Sequence, residues 1–399
     1  MRVGILTSGG DCQALNATMR GLALTLYRNV KDVEIIGFID GYKGLMYEKY
    51  KKMKPKDFYD ILNVGGSILG NSRCPFKRMR IIENGFDKVK AMKNTYKKLE
   101  LDCLVVLGGN GSIKSANMLS QEGLNVIALP KTIDNDLAVT DHTPGFGSAA
   151  KFIAATMKEI IRDGLVYDYP TVTIVEIMGR NAGWLTAAAA LAKSDDCEGV
   201  DLIYLPEKVF DIDHFMARVK EIAAKGRSMV IAVSEGIKVA DGRYVFELSE
   251  HVEFVDAFGH KQLAGSAKFL ANKIGAELGI KTRAIELSTL QRCAAHMTSR
   301  TDITEAYNVG GAAVKAAFEG ETGKVVVLKR VSDDPYMCIT ETHDVHQIAN
   351  IEKKVPLEWI TEDDFVTEDL IHYIRPLIQA ELSPIMVDGL PRHLNVNMD

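Results

Sequence analysis

Short apolar runs rich in β-branched residues alternate along this chain with longer stretches in which apolar residues return every three or four positions. The first run, Val3-Gly4-Ile5-Leu6, passes through Ser8-Gly9-Gly10 into residues 14–28, where Leu15, Met19, Leu22 and Leu26 share one helix face. Further strands are predicted over 33–39, 103–107 and 126–129, with a helix from Ser112 between the last two. The series continues as helix 148–161, strand 171–177, an alanine-rich helix 183–192, strand 202–204, helix 214–224 and strand 229–233. Helix 265–278, strand 282–287, helix 302–318 and strand 324–328 close it. Strands that are apolar throughout, not only at alternate positions, require cover on both faces. The expected fold class is therefore α/β: two Rossmann-like lobes of mostly parallel sheet with helices on both faces, and a cleft where strand C-termini meet. After about Ser332 the pattern loses regularity and turns acidic; it reads as a C-terminal extension without assigned chemistry.

Composition narrows the function classes. The 399 residues are enough for about two or three domains with their own cores. A hydrophobic share of 47% with 25% charged residues is that of a globular protein, and 33 glycines against 11 prolines point to tight turns between regular elements. A net charge of −5 gives no general attraction to nucleic acid or membranes, so neither is an expected partner and basic groups matter only locally. One local group, Arg73, Lys77, Arg78 and Arg80, follows the Gly65-Gly66 bend. Six scattered cysteines form no Cys-x-x-Cys pair and have no histidine at metal spacing. They read as free thiols in a reducing cytoplasm. The opening apolar run stops at glycines, too short for a signal peptide or membrane helix.

Candidate chemistry gathers in the turns. Ser8-Gly9-Gly10 and Leu107-Gly108-Gly109-Asn110-Gly111-Ser112 each join a strand to a helix start. Free amides and partial positive charge there suit a phosphate, and missing side chains permit close approach. Leu129-Pro130-Lys131-Thr132-Ile133-Asp134-Asn135-Asp136 puts two carboxylates and a hydroxyl just after an apolar strand. An Asp/Asn turn that only satisfies its own amides is the bland alternative. The buried strand before it, the alternation of Asp134 with Asp136, and the Met178-Gly179-Arg180 turn after another strand favour chemistry. Phosphoryl transfer to an alcohol needs a base at the hydroxyl, cations around the moving group and usually a metal between phosphates.

These segments, with Leu15-Asn16-Ala17, Gly65-Gly66 through Arg73, Ile174 to Arg180, Asn181-Ala182-Gly183-Trp184 and Leu290-Gln291-Arg292, resemble the phosphofructokinase family in order from residue 1 to about residue 330. Val355 to Ile360 is similar to the longer, pyrophosphate-using branch. The resemblance implies transfer of a phosphoryl group to the 1-hydroxyl of fructose 6-phosphate, a glycolytic kinase reaction with Mg2+ as cofactor. On it, Asp134 is the general base, with Thr132 and Ile133 beside the sugar. Met178, Gly179 and Arg180 border the substrate, Arg180 stabilises the moving phosphoryl group, and Glu235 holds sugar hydroxyls. Arg283 and Arg292 match 6-phosphate positions. Gly9, Gly10, Arg73, Gly108, Gly109, Asn110, Gly111 and Ser112 match the donor side, and Asn110 and Asp136 the metal. It also implies a donor lobe over 1–136 completed by about 291–340, a sugar-phosphate lobe over 137–290, an extension over 341–399, and a homodimer or homotetramer.

Donor identity turns on Gly111 and Lys131. Pyrophosphate enzymes of the family carry an acidic residue where this chain has Gly111, and a carboxylate about 4 Å from a phosphate costs about 4 kcal/mol at an effective dielectric near 20. Its absence leads to ATP as the expected donor, with pyrophosphate as the alternative because Lys131 belongs to that branch. Asn110 replaces a metal-binding aspartate, Gln13-Ala14 the usual Pro-Gly, and Thr171 and Thr289 an arginine and a histidine near the sugar phosphate. Those changes leave a non-catalytic, sugar-phosphate-binding regulatory subunit as a further alternative. The NAD and lipid kinases share a glycine loop but lack the Lys131 to Asp136 segment.

Overall fold

The computed structural model describes residues 1–72, 74–249, 265–348 and 351–393. Its main strands are β1 (Arg2–Thr7), β2 (Glu34–Phe38), β3 (Tyr50–Met53), β4 (Cys103–Gly108), β5 (Val126–Pro130), β6 (Thr171–Ile177), β7 (Leu202–Tyr204), β8 (Met229–Ser234), β9 (Lys281–Glu286), β10 (Lys324–Asp333) and β11 (Tyr336–Asp344). They build a seven-stranded sheet in the order β11-β10-β5-β4-β1-β2-β3 and a four-stranded sheet in the order β7-β8-β6-β9. The second sheet is parallel throughout. The first is parallel from β10 to β2 and antiparallel at both rims, where β3 pairs with β2 and β11 with β10. The α/β reading with two lobes therefore holds, with antiparallel edges that the apolar runs alone do not announce.

Burial follows the sequence pattern. Every residue of β4, β5, β6 and β8 is buried, as strands covered on both faces are, although β6 includes the polar Thr171, Thr173 and Glu176. One core cluster joins the helix Leu15–Asn29, the helix Phe146–Gly164 and the helix Arg300–Phe318 to inner residues of both sheets, including Val105, Leu129, Val175 and Ile177. Separate clusters cover the outer face of each sheet. The C-terminal extension is part of the main core, since Val355, Ile360, Val366, Leu370, Ile371, Ile374 and Leu377 are buried in it. No helix among the described residues is long and apolar enough to cross a membrane.

Two departures are local. The expected helix 183–192 is a short α-helix, Trp184–Ala187, that tightens into a 3-10 turn over Ala188–Ala192. The described residues after Ser332 include regular elements: β11 follows at once and the helix Glu368–Ile374 later.

Candidate active site

The two glycine turns and the Asp-rich turn leave neighbouring parallel strands, β1, β4 and β5, at the same end of the sheet. Register makes them neighbours: the Ser8 amide donates to the Leu107 carbonyl at 2.9 Å, and the Lys131 amide to the Gly108 carbonyl at 3.1 Å. Gly9 takes φ +87°, which only glycine adopts without strain. A Cβ there would sit 3.7 Å from Lys131 Nζ and 3.8 Å from Ser112 Oγ, and one on Gly10 would lie 3.4 Å from an Arg292 nitrogen. Gly109 approaches Thr132 in the same way, at 3.7 Å from its Cβ. Gly9, Gly10, Gly108, Gly109, Ser112, Lys131, Thr132 and Arg292 thus lie close together at this end of the sheet.

Lys131 is 2% exposed, and its ammonium donates to the Gly10 carbonyl. Burial pulls its pKa below the usual lysine range against the pull of Asp11 and Asp134. Asp134 follows, its amide bonded to Thr132 Oγ1 at 3.1 Å. Burial raises the Asp134 carboxyl, while the Thr132 hydroxyl and the charges of Lys131, Arg180 and Arg292 act to lower it. Asp136 is pushed up to about 7 by burial and by the carboxylates of Asp134 and Glu352. Asn110 starts the helix Asn110–Gln121, from which Lys114 opposes that shift. Oδ1 of Asn110 and Oδ1 of Asp11 are buried with no hydrogen-bond partner among the described residues. The orphaned oxygens of Asn110 and Asp11 and the raised carboxyl of Asp136 are oxygen donors of the kind a hard divalent cation such as Mg2+ takes.

A second cluster brings ligand atoms of His142, Glu305 and Cys338 within 4.8 Å of one another. Both His142 ring nitrogens face carboxylates, Nδ1 to Asp141 at 2.7 Å and Nε2 to Glu305 at 2.6 Å. Its mixed N, O and S ligands do not suit Mg2+.

The second lobe supplies the opposite wall. β6 ends at Ile177, and the Met178 amide is held by Gln291 Oε1 at 3.1 Å, next to Arg292. Gly179, at φ +145°, receives Ser234 Oγ–H on its carbonyl at 2.6 Å and donates its amide to Glu235 Oε1 at 3.4 Å. Glu235 is pushed up to about 7, chiefly by burial, with Asp134 among the charges that add to it. Asp134, Arg180, Glu235 and Arg292 therefore sense one another across the cleft although three of them are at least 46 positions from Asp134 in the chain.

Two expected residues stand outside this group, and the position of a third is not described. Arg283 is opposite Thr173 in the sheet, about 13 Å short of the end of β6 at 3.3 Å per residue. There it pairs with Asp163 at 2.8 Å and lies over Tyr167. Beyond its own helix turn, no atom of the described residues lies within 4 Å of where a Cβ on Gly111 would be. Arg73 lies outside the described residues; of its basic neighbours, Arg78 pairs with Glu83 and Arg80 with Glu122, each at 2.7 Å. Residues that sequence reasoning passed over are Glu352, Lys353 and Tyr373. Only the Val355 to Ile360 similarity pointed toward their region.

Comparison with known proteins agrees with this architecture. Residues 2–317 match the Phosphofructokinase family model. Pyrophosphate--fructose 6-phosphate 1-phosphotransferase of Xanthomonas campestris is 35% identical over 98% of this chain and 94% of its own. ATP-dependent 6-phosphofructokinase 3 of Streptomyces coelicolor is 36% identical over 82% of this chain and 91% of its own. The crystal structure of a pyrophosphate-dependent phosphofructokinase from Nitrosospira multiformis superposes with a TM-score of 0.87 at 29% identity, covering 98% of this chain and 95% of that one.

These matches correct the expectation of ATP as donor: the Xanthomonas and Nitrosospira proteins, similar over nearly the whole length, are pyrophosphate enzymes. The physical reason lies in what each residue can do. Open space at Gly111 permits a larger donor without favouring it, so the glycine alone does not select ATP, whereas Lys131 is buried against the Gly10 carbonyl. By sequence, site architecture and fold alike, the chain belongs to the phosphofructokinase family.

Proposed function

We propose that this protein transfers a phosphoryl group from pyrophosphate to the 1-hydroxyl of fructose 6-phosphate. The observation that carries the donor is Lys131, buried under Gly9 with its ammonium at the Gly10 carbonyl. The full-length likeness to pyrophosphate enzymes supports the same reading. A compact donor whose charge sits entirely on two phosphates gains most from a cation fixed in a water-poor floor.

In this reading the amides after Gly9 and Gly108 receive the donor phosphates, with Gly10, Gly109, Asn110 and Ser112 shaping the loops. Asp134 takes the proton from the sugar hydroxyl, and Thr132 and Ile133 sit beside it. Arg180 balances charge on the group in transit. Met178, Gly179 and Glu235 border the sugar, and Arg292 holds its phosphate. Asn110 and Asp136 would hold Mg2+, which when bound offsets the donor's negative charge. Residues 1–136 with 291–340 act as the donor lobe and 137–290 as the sugar-phosphate lobe. Arg283, too far from Asp134 of its own chain, serves the neighbouring site of a symmetric oligomer.

The test is a direct assay of the purified protein with fructose 6-phosphate, Mg2+ and either donor. Turnover with pyrophosphate at least tenfold above that with ATP, in kcat/KM, is the expected result. Equal or greater efficiency with ATP would overturn the donor assignment.

A further inference from the structure

The turn between Asp134 and Asp136 is not held by its own lobe alone. Asn135 is fully buried at φ +54°, a left-handed conformation that asparagine tolerates better than most residues. Its Oδ1 accepts from the Thr143 amide at 3.1 Å, and its Nδ2 donates to the Tyr373 hydroxyl at 3.0 Å. That hydroxyl also accepts from Lys353 Nζ at 3.0 Å and donates to the Asp141 carbonyl at 2.5 Å, so its hydrogen-bonding capacity is used in full.

Lys353 reaches the same turn by its backbone. Its amide donates to the Asp136 carbonyl at 2.8 Å, one residue after Glu352 bridges Leu137 in antiparallel register. On the other side it meets the second lobe: the Lys353 carbonyl accepts from Trp184 Nε1 at 2.9 Å, and Glu352 Oε1 accepts from Asn181 Nδ2 at 2.9 Å. Asn181 directly follows Arg180. Rings of Trp184, Trp359 and Tyr373 pack against one another at 5.2 to 6.2 Å, and the Lys353 ammonium lies over two of them. The segment thus bonds to the turn that carries Asp134 and to the turn that carries Arg180, which come from different sheets.

We propose that Lys353 and Tyr373 are positioning residues for phosphoryl transfer: the C-terminal segment clamps the 131–136 turn against the 178–184 turn and fixes the distance between base and arginine. This rests on the catalytic reading above. A displacement of about 1 Å between reacting groups can cost about a hundredfold in rate. A purely structural role would instead lower stability and leave turnover per folded molecule intact.

The test uses full-length Tyr373→Phe, which keeps the ring packing and removes only the hydroxyl, and Lys353→Met. Two readouts are taken, steady-state kinetics and hydrogen exchange of the peptide spanning 131–143. Expected are kcat values lowered about 10- to 100-fold, KM for both substrates within twofold, and faster exchange in that peptide. The proposal is overturned by unchanged exchange there, by kcat within twofold of wild type, or by a loss confined to melting temperature. Lack of turnover by the wild-type protein, with exchange still accelerated in the variants, would sink the catalytic reading and leave the clamp standing as a structural fact.

Discussion

Asp134 stands under opposing forces. Burial disfavours its charge, and Thr132, Lys131, Arg180 and Arg292 favour it. A base in that balance is kept from being a weak, fully solvated carboxylate while still able to ionise. Asp134→Asn keeps size and polarity and removes only proton acceptance, so turnover should fall about a thousandfold. KM should move little, and the melting temperature should hold or rise because a desolvated charge is gone. Steady-state kinetics and a thermal melt check both; a loss below tenfold would remove Asp134 from the base role. Much of this was legible in the sequence because Lys131, Thr132, Asp134 and Asp136 lie within one turn. Tyr373 was not, since it is 238 positions from Asn135 and tyrosines carry no chemical signature at such separation.

Among elements, the helix Leu15–Asn29 and the helix Arg300–Phe318 meet backbone to backbone at Gly21 and Gly310. A Cβ on Gly21 would fall 2.0 Å from the Tyr307 carbonyl oxygen, and one on Gly310 2.0 Å from that of Thr18. These contacts are with backbone, which cannot swing aside. Gly310→Ala should therefore destabilise by about 3 kcal/mol despite alanine's better helix propensity. Gly311→Ala, whose Cβ would meet only Thr25 Oγ1 at 3.3 Å, should cost much less. Denaturant melts of the two variants make the comparison, and equal costs would contradict the crossing geometry. Helical periods and apolar runs gave most elements to within a few residues, since β4 and β5 carry continuous apolar runs. β11 escaped because its half-buried, charge-bearing run, with Glu341, His343 and Asp344, resembles a solvated tail until β10 is there to pair with it.

At the scale of the whole molecule, a buried ionic network ties these parts together. His142 is 1% exposed and lies between Asp141 and Glu305. Arg330 on β10 also bonds Asp141, at 3.1 Å, and reaches the Tyr373 carbonyl at 2.9 Å; Tyr336 on β11 donates to Glu305 at 2.6 Å. Cys338 completes the surroundings, its thiol pushed up to about 12 by burial. Burial alone would lower the His142 pKa, yet Glu305 and Asp141 outweigh it and raise it from 6.5 to about 9. A group whose pKa is higher in the folded state binds its proton more tightly there. Its stabilisation is therefore complete below about pH 6.5 and is lost as pH rises through about 9. At 1.36 kcal/mol per pKa unit the stake is on the order of 3 kcal/mol. Lys353 works in the opposite sense: burial holds its pKa at about 8 against an ordinary 10.5, so its penalty is relieved as pH climbs through that range. Wild-type melting alone would mix the two. The separable quantity is the difference between wild type and His142→Gln, which should be largest near pH 6.5 and shrink steadily by pH 9.5. A difference that stays constant across that interval would mean that His142 is neutral in the folded protein and that the network is held by neutral hydrogen bonds alone.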